Sequence, residues 1–265
     1  MSAAKSPSPK APSRRTANED GVEPFTTDSV VLPKFKPSRY RILRASGELF
    51  ARWGYHGTST RQIATGAGLS QPTLFHHFKS KQAIMEDLLG INYLPPLSLI
   101  RKLMEYPASP AARVWAATVL DVLYCTRLGI DLAGTHNDDV LTDPDFARWA
   151  GVKDEYAACV AALIAQGVQS GDFADIDPRL SLLLHTGMTK ELIRLVGRNG
   201  LPQGEEWADA LAEMMVRALA SDACDVAQAG RDSVQVVKEF AYHADVQPGE
   251  VPRIMTSMKA AMGLG

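Results

Sequence analysis

The sequence predicts an all-α fold, with a small N-terminal helical domain followed by a larger helical bundle. Two observations carry that prediction. From residue 38 onward apolar side chains recur at three- and four-residue intervals, and no run of alternating β-branched residues asks for a sheet. The helical stretches are also punctuated, with Ser, Asp and Pro where helices start and Gly where they stop. A chain of 265 residues has room for one small and one medium domain, each burying its own core.

Residues 1–36 are rich in Pro, Ser, Ala and charge, and hold few large apolar side chains before Val30-Val31-Leu32. Such a segment cannot bury enough to fold alone and is expected to be a disordered tail. Arg14-Arg15, or Lys34 and Lys36, offer it a minor-groove arm, with a solvated tail as the alternative. Residues 37–90 form the small domain. Its first helix, Ser38 to Trp53, carries Ile42, Leu43, Leu49, Phe50 and Trp53 on one stripe, with the small Ser46 among them. Gly54 and Gly57 break it. Two short helices then flank Gly68. Ala64 allows their close approach, Gly68 the left-handed turn, and Leu74 plugs the angle between them. Ser80 is placed to cap a further helix bearing Ile84, Leu88 and Leu89. This is the build of a helix-turn-helix, whose second helix enters the major groove of DNA.

Residues 91–221 read as a helical bundle. Pro95-Pro96 is expected to end the helix carrying Ile91 and Leu94. Another helix resumes from Leu97 to Met104, and Tyr106-Pro107 to Pro110 breaks that in turn. Ala111 to Leu128 carries Val114, Trp115, Val119, Leu123 and Tyr124. After a polar connection at 134–143, Asp143-Pro144 opens a long helix to about Gly171. Asp177-Pro178 repeats the signal for a helix to about 197, and a last strong helix runs from about 205 to 221. Residues 222–265 are a C-terminal extension. It has one helix through Val226, Val234, Val237 and Phe240, and a short one near Ile254, Met255 and Met258. It could brace a dimer or cover the bundle.

Charge is unevenly spread. Lys and Arg outnumber Asp and Glu by six to four in residues 1–36 and by seven to three in 37–90, whereas 91–265 holds fifteen against twenty-three. The side chains able to neutralise phosphates therefore lie in and before the helix-turn-helix.

The segment from about 38 to 90 resembles the DNA-binding domain of the tetracycline-repressor family of bacterial regulators. The resemblance is carried by Gly57-Thr58-Ser59, Ile63-Ala64, Ala67-Gly68-Leu69-Ser70, Thr73-Leu74-Phe75-His76-His77-Phe78 and Ser80-Lys81. Gln71-Pro72-Thr73-Leu74 and Thr60-Arg61 are also similar to the tetracycline repressor itself. One departure is Phe75, where the family usually has a tyrosine whose hydroxyl reaches a phosphate. Chemistry assigns the remaining roles. Gln71 matches adenine and Arg61 guanine in bidentate pairs, while Pro72 and Phe75 offer apolar surface to a thymine methyl. Thr73 can reach a base or a phosphate, and Thr60 and Ser70 present hydroxyls suited to phosphate oxygens. Lys81 matches the family's phosphate-contacting lysine, and His76 completes the DNA-binding set.

The resemblance further implies a ligand-binding and dimerising second domain. The helices near 178–197 and 205–221 match the pair that forms a four-helix bundle between subunits, with Leu184, Met188, Leu192, Trp207, Leu211 and Met215 as the interface candidates. The effector pocket is expected between the helices of 97–128 and 144–170, under a lid at 134–143. Tyr93, Met104, Trp115, Tyr124, Cys125, His136, Asn137 and His185 are its candidate lining, a composition that suits an apolar or aromatic effector. The expected partners are thus an operator DNA, a second copy of the chain and a small molecule.

Other classes find less support. No nucleophile elbow, phosphate loop, dinucleotide fingerprint or zinc-protease motif is present, and neither a metal site nor a cofactor is expected. Cys125, Cys159 and Cys224 form no paired framework, as in a reducing compartment. No apolar run is long enough to span a membrane, so the expected location is the cytosol. The alternative within DNA binding is a constitutive DNA-organising protein with no effector, which would not need an acidic helical domain of this size.

Overall fold

The computed structural model describes residues 35–199 and 204–243. Residues 1–34 of the expected tail, with Arg14-Arg15 and Lys34 of its basic arm, and the short helix near Ile254 lie outside the described residues, while Lys36 stands at the start of the first helix. Among the described residues ten α-helices follow one another: α1 (Pro37–Trp53), α2 (Thr60–Gly66), α3 (Gln71–His77), α4 (Lys81–Glu105), α5 (Pro110–Leu128), α6 (Asp138–Leu141), α7 (Ala147–Ser170), α8 (Pro178–Asn199), α9 (Gly204–Leu219) and α10 (Val226–His243). Among the described residues the only β-type pairing is an isolated bridge between Phe173 and Ala220.

Most starts are capped as their sequence demands. The hydroxyls of Ser59, Ser70, Ser80 and Ser109 accept from the backbone N–H three residues on, and Pro110 occupies the first turn of α5. Asp143 caps only a 3-10 turn, Pro144–Phe146, before α7 begins. In α1 the buried stripe holds Ile42, Leu43, Ser46 and Phe50, the Ser46 hydroxyl donating to the Ile42 carbonyl at 2.7 Å.

Two expectations need correction. Trp53 does not join the stripe of α1 but stands 55% exposed. Tyr55 fills the space instead, its ring edge-on to Phe50 and to Phe146 at 5.5 and 5.2 Å. Pro95-Pro96 does not end a helix either, because α4 runs through both. Pro95 has no N–H for the Ile91 carbonyl, but Tyr124 on α5 supplies the missing donor, its hydroxyl donating to that oxygen at 2.6 Å. A side chain thirty-three positions away thus repairs the break.

α5 is the axis of the larger domain, buried along nearly its whole length between α7, α8, α9 and α10. Trp115 at its centre donates its indole N–H to Asp209 of α9 at 2.7 Å. α10 buries Ala229, Val236, Val237 and Phe240 against this core, so this part of the extension covers the bundle. α4 is long enough to pack against α1 and against α5, and it joins the two regions.

Candidate nucleic-acid interface and internal cavity

The turn between α2 and α3 is built from its caps inward. Ser59 and Gln62 form a reciprocal capping box at the start of α2. Gly68 takes φ +66°, which a side chain would strain. Ile63, Ala64 and Leu74 are buried between the two helices, so α3 turns its other side outward. Gln71, Pro72, Phe75 and His76 are exposed there, Phe75 at 44%. Thr73 is half-buried, its hydroxyl 2.7 Å from that of Ser70. The Gln71 side-chain N–H₂ donates to the Thr60 hydroxyl at 3.0 Å, which ties the starts of α2 and α3 together, with Arg61 exposed beside them.

Lys81 is more committed than the sequence suggests. Its ammonium donates to the carbonyls of Tyr55 and Thr58 at 2.7 and 2.9 Å and lies over the Tyr55 ring. Burial lowers its pKa. Two of its three N–H donors hold the α1–α2 turn, and one is left for an outside acceptor. Arg39, which sequence reasoning missed, braces the far end of α3. It donates to the His77 carbonyl at 3.0 Å, pairs with Asp87 at 2.5 Å and covers the Phe78 ring. Its spacing from those partners, 38 residues or more, left no local signal.

A cavity of about 400 Å³ lies between α4, α5, α7 and α8, closed by the 3-10 turn Ala133–His136 and α6. Of the candidate lining residues, Tyr93, Tyr124, Cys125, His136 and His185 lie on this cavity, whereas Met104, Trp115 and Asn137 do not. Trp115 is engaged with Asp209. The Met104 carbonyl accepts from Arg113 at the end of α4, and the Asn137 carbonyl accepts the first N–H groups of α6. Sequence reasoning missed Asp121, Tyr156 and the α8 wall. Asp121 had a signal, being the lone acid inside the apolar run Val119–Leu123 and one turn from Tyr124 and Cys125.

The buried polar groups of this cavity form a chain. The Tyr156 hydroxyl sits 2.7 Å from His185 Nε2 and 3.3 Å from Asp121 Oδ2. Burial pushes the Asp121 carboxyl up to about 7 and the His185 imidazole down to about 4. One hydroxyl proton cannot serve both neighbours. The protonated Asp121 can donate to Tyr156, which then donates to the neutral His185. His136 is likewise lowered to about 4, first by burial and then by Lys190 and Lys153, and its Nε2 lies 3.3 Å from the Asn92 amide nitrogen. Burial raises the Cys125 thiol, so it is no thiolate nucleophile. Among the described residues no three His, Cys, Asp or Glu side chains converge as a metal site. Nor is any described helix long and apolar enough to cross a membrane.

Cavity and reading face are joined through α1. His136 ends the 3-10 turn at the cavity, and Gly134 in the same turn packs against Phe50 of α1 so closely that a Cβ would clash. A Cβ on Gly47 would likewise strike the Asp131 carbonyl. His56 beside α2 reaches Asp143 at 3.5 Å. Of the interface candidates, Leu184 and Trp207 are exposed, Met188 and Leu211 half-buried, and Leu192 and Met215 buried within the chain. The exposed large apolar residues on α8 and α9 are Leu180, Leu183, Leu184, Trp207 and Met214.

Known proteins share both regions. Residues 42–88 match the family described as bacterial regulatory proteins, tetR family, and residues 108–219 match the tetracyclin repressor-like C-terminal domain. The HTH-type transcriptional regulator RutR of Escherichia coli strain K12 is 32% identical over 151 residues, covering 52% of this chain and 65% of that protein. The crystal structure of Mycobacterium smegmatis AmtR superposes with a TM-score of 0.62 at 24% identity, over 74% of this chain and 92% of that one. AibR, crystallised with isovaleryl coenzyme A and operator DNA, gives 0.54 at 23% identity, over 66% and 97%. With an N-terminal helix-turn-helix and a matching helical C-terminal domain, the chain belongs to the tetR family of bacterial regulatory proteins.

Proposed function

We propose that this protein is a sequence-specific transcriptional regulator, a repressor that binds an inverted-repeat operator as a homodimer and is released by a small molecule. The observation that carries the reading is the outward side of α3. Gln71, Pro72 and Phe75 stand exposed on a short helix held rigidly from behind by Leu74 and Arg39. An amide, an apolar ring and a phenyl group presented together suit base edges and thymine methyl groups. Thr60, Arg61, Ser70, Thr73, His76 and the remaining N–H of Lys81 surround them as phosphate or base contacts.

Dimerisation is supported by the apolar residues left exposed on α8 and α9, and two recognition helices about one DNA turn apart are what a palindrome requires. In this reading Leu180, Leu183, Leu184, Trp207 and Met214 take the central places. Release is supported by the cavity, by its contact with α1 through the 3-10 turn, and by the ligand and operator DNA of AibR. A ligand that prefers the form with its recognition helices wrongly spaced would lower operator affinity by its differential affinity for the two forms.

Selection of random-sequence duplexes by the purified protein, followed by sequencing, tests this. One inverted repeat is the expected recovery. DNA without symmetry would overturn the dimeric reader, and retention of no DNA would overturn DNA binding by the free protein.

A further inference from the structure

The cavity lining is uneven in a way that narrows its occupant. Its inner wall is aromatic and aliphatic, formed by Tyr93, Tyr124, Leu141, Tyr156, Leu182 and Ile193. Its buried polar groups are neutral together between about pH 4 and 7: Asp121 keeps its proton there, while His136 and His185 lack theirs. The fixed charges of the lining are two lysines. Lys153 on α7 and Lys190 on α8 line it from two different walls, both side chains exposed, and both act on His136.

Neither lysine has an ion-pair or hydrogen-bond partner among the described residues. Of the neighbouring acids, Glu155 is taken by Arg101 and Glu191 by Arg194, while Asp154 stands exposed beside Lys153 without lining the cavity. Two lysines that line one cavity and both act on His136 repel one another, and a counter-charge bound near them relieves that repulsion. The Thr189 hydroxyl is buried without a partner, and the Tyr93 hydroxyl, on a residue only 6% exposed, has the Asn92 side chain beside it but no acceptor for its own proton. Both line the cavity, and both are groups that an occupant with a polar atom would satisfy.

We propose that the effector is an amphiphilic organic anion, its apolar body against the aromatic wall and its carboxylate or phosphate head between Lys153 and Lys190. This rests on the reading of the cavity as the effector site. A cationic ligand would meet two like charges. A neutral one would leave the repulsion between the lysines in place. The Tyr93 and Thr189 hydroxyls then select for a hydroxyl, carbonyl or ether oxygen along the body.

Matched ligands separate head from body. Titration calorimetry on the full chain would compare octanol, octanoate and octyl phosphate, and the corresponding 3-phenylpropyl series. In at least one series an anion is expected to bind about tenfold or more tighter than its alcohol, a gap that narrows with added salt. In a Lys153→Met, Lys190→Met double variant the gap should shrink to about threefold or less, with the alcohol's affinity unchanged. The order of carboxylate and phosphate assigns the head. An alcohol that binds as tightly as its anions, a gap indifferent to both salt and the double substitution, or no anion binding in either series would each overturn the proposal. Because salt is varied on the natural chain, the outcome does not depend on the variant folding. Failure here with an inverted repeat still selected would remove the anion and leave the regulator. Anion binding by a chain that retains no DNA would do the reverse.

Discussion

Lys81 holds the fold with the same ammonium that is proposed to contact DNA. Its two hydrogen bonds to the Tyr55 and Thr58 carbonyls fasten α4 to the turn before α2. Charged hydrogen bonds of this kind are worth about 1.5–3 kcal/mol each. Lys81→Met should therefore lower stability by at least about 1.5 kcal/mol in urea unfolding without DNA. Its effect on DNA affinity should be even across sequences, with a flatter salt dependence. Unchanged stability would return Lys81 to a purely external role. Gln71 differs, since its amide rests on the exposed Thr60 hydroxyl, a bond that water can replace. Gln71→Ala should leave stability nearly unchanged and relax discrimination at one base pair per half-site by about 1–3 kcal/mol, measured by competition between single-base operator variants. Arg61→Ala should do the same at a second position.

At the scale of helices, α4 offers the sharpest test. Tyr124→Phe leaves the Ile91 carbonyl without its donor, which costs about 1–3 kcal/mol when the group is buried. Pro95→Ala restores a backbone N–H at the right place. The double variant should thus be more stable than Tyr124→Phe alone, a non-additivity that a denaturation cycle would reveal. Equal losses in both would mean that the tyrosine bond does not repair α4. The same pair shows where sequence reading stops. Caps such as Ser59, Ser70, Ser80 and Ser109 act within three residues, so the helix starts were legible. The continuity of α4 was not, because its missing donor comes from another helix. Tyr93, Tyr124 and His185 were legible as cavity candidates for their chemistry. Asp121 left only the signal of a lone acid in an apolar run and Tyr156 left none, since their meeting depends on how α5, α7 and α8 pack. Likewise Trp53 fits the period of α1, but the period cannot tell that Tyr55 has already filled the space.

The whole molecule carries a pH signature. Asp121 titrates near 7 in the folded chain against 3.8 ordinarily, so the folded state holds a proton that the unfolded chain has released. Its contribution is complete below 3.8 and is lost as pH rises through about 7. His136 and His185 act oppositely. With folded values near 4 against 6.5, their contribution is present above 6.5 and is lost as pH falls towards 4. For these three groups stability should rise from about pH 4 to 6.5, where the two histidines outweigh the one acid, and level off by about pH 7, and Asp121→Asn should steepen that rise in thermal melts. A rise no steeper in the variant would assign it to other groups. Assembly is testable at this scale too. Leu183→Glu with Met214→Glu places charges on two exposed apolar sites and should yield a folded monomer by sedimentation, with operator affinity lost.

One helix ties these properties together. α8 turns His185, Thr189 and Ile193 to the cavity and leaves Leu180 and Leu184, two of the residues proposed for the dimer contact, exposed. Reciprocity then applies: if occupancy shifts α8 so as to strengthen or weaken pairing, pairing must change ligand affinity by the same factor. The sensor would then carry no single intrinsic threshold. The effector concentration that half-saturates it would drift with the amount of protein across the range where dimers dissociate, and cellular abundance would become part of its calibration.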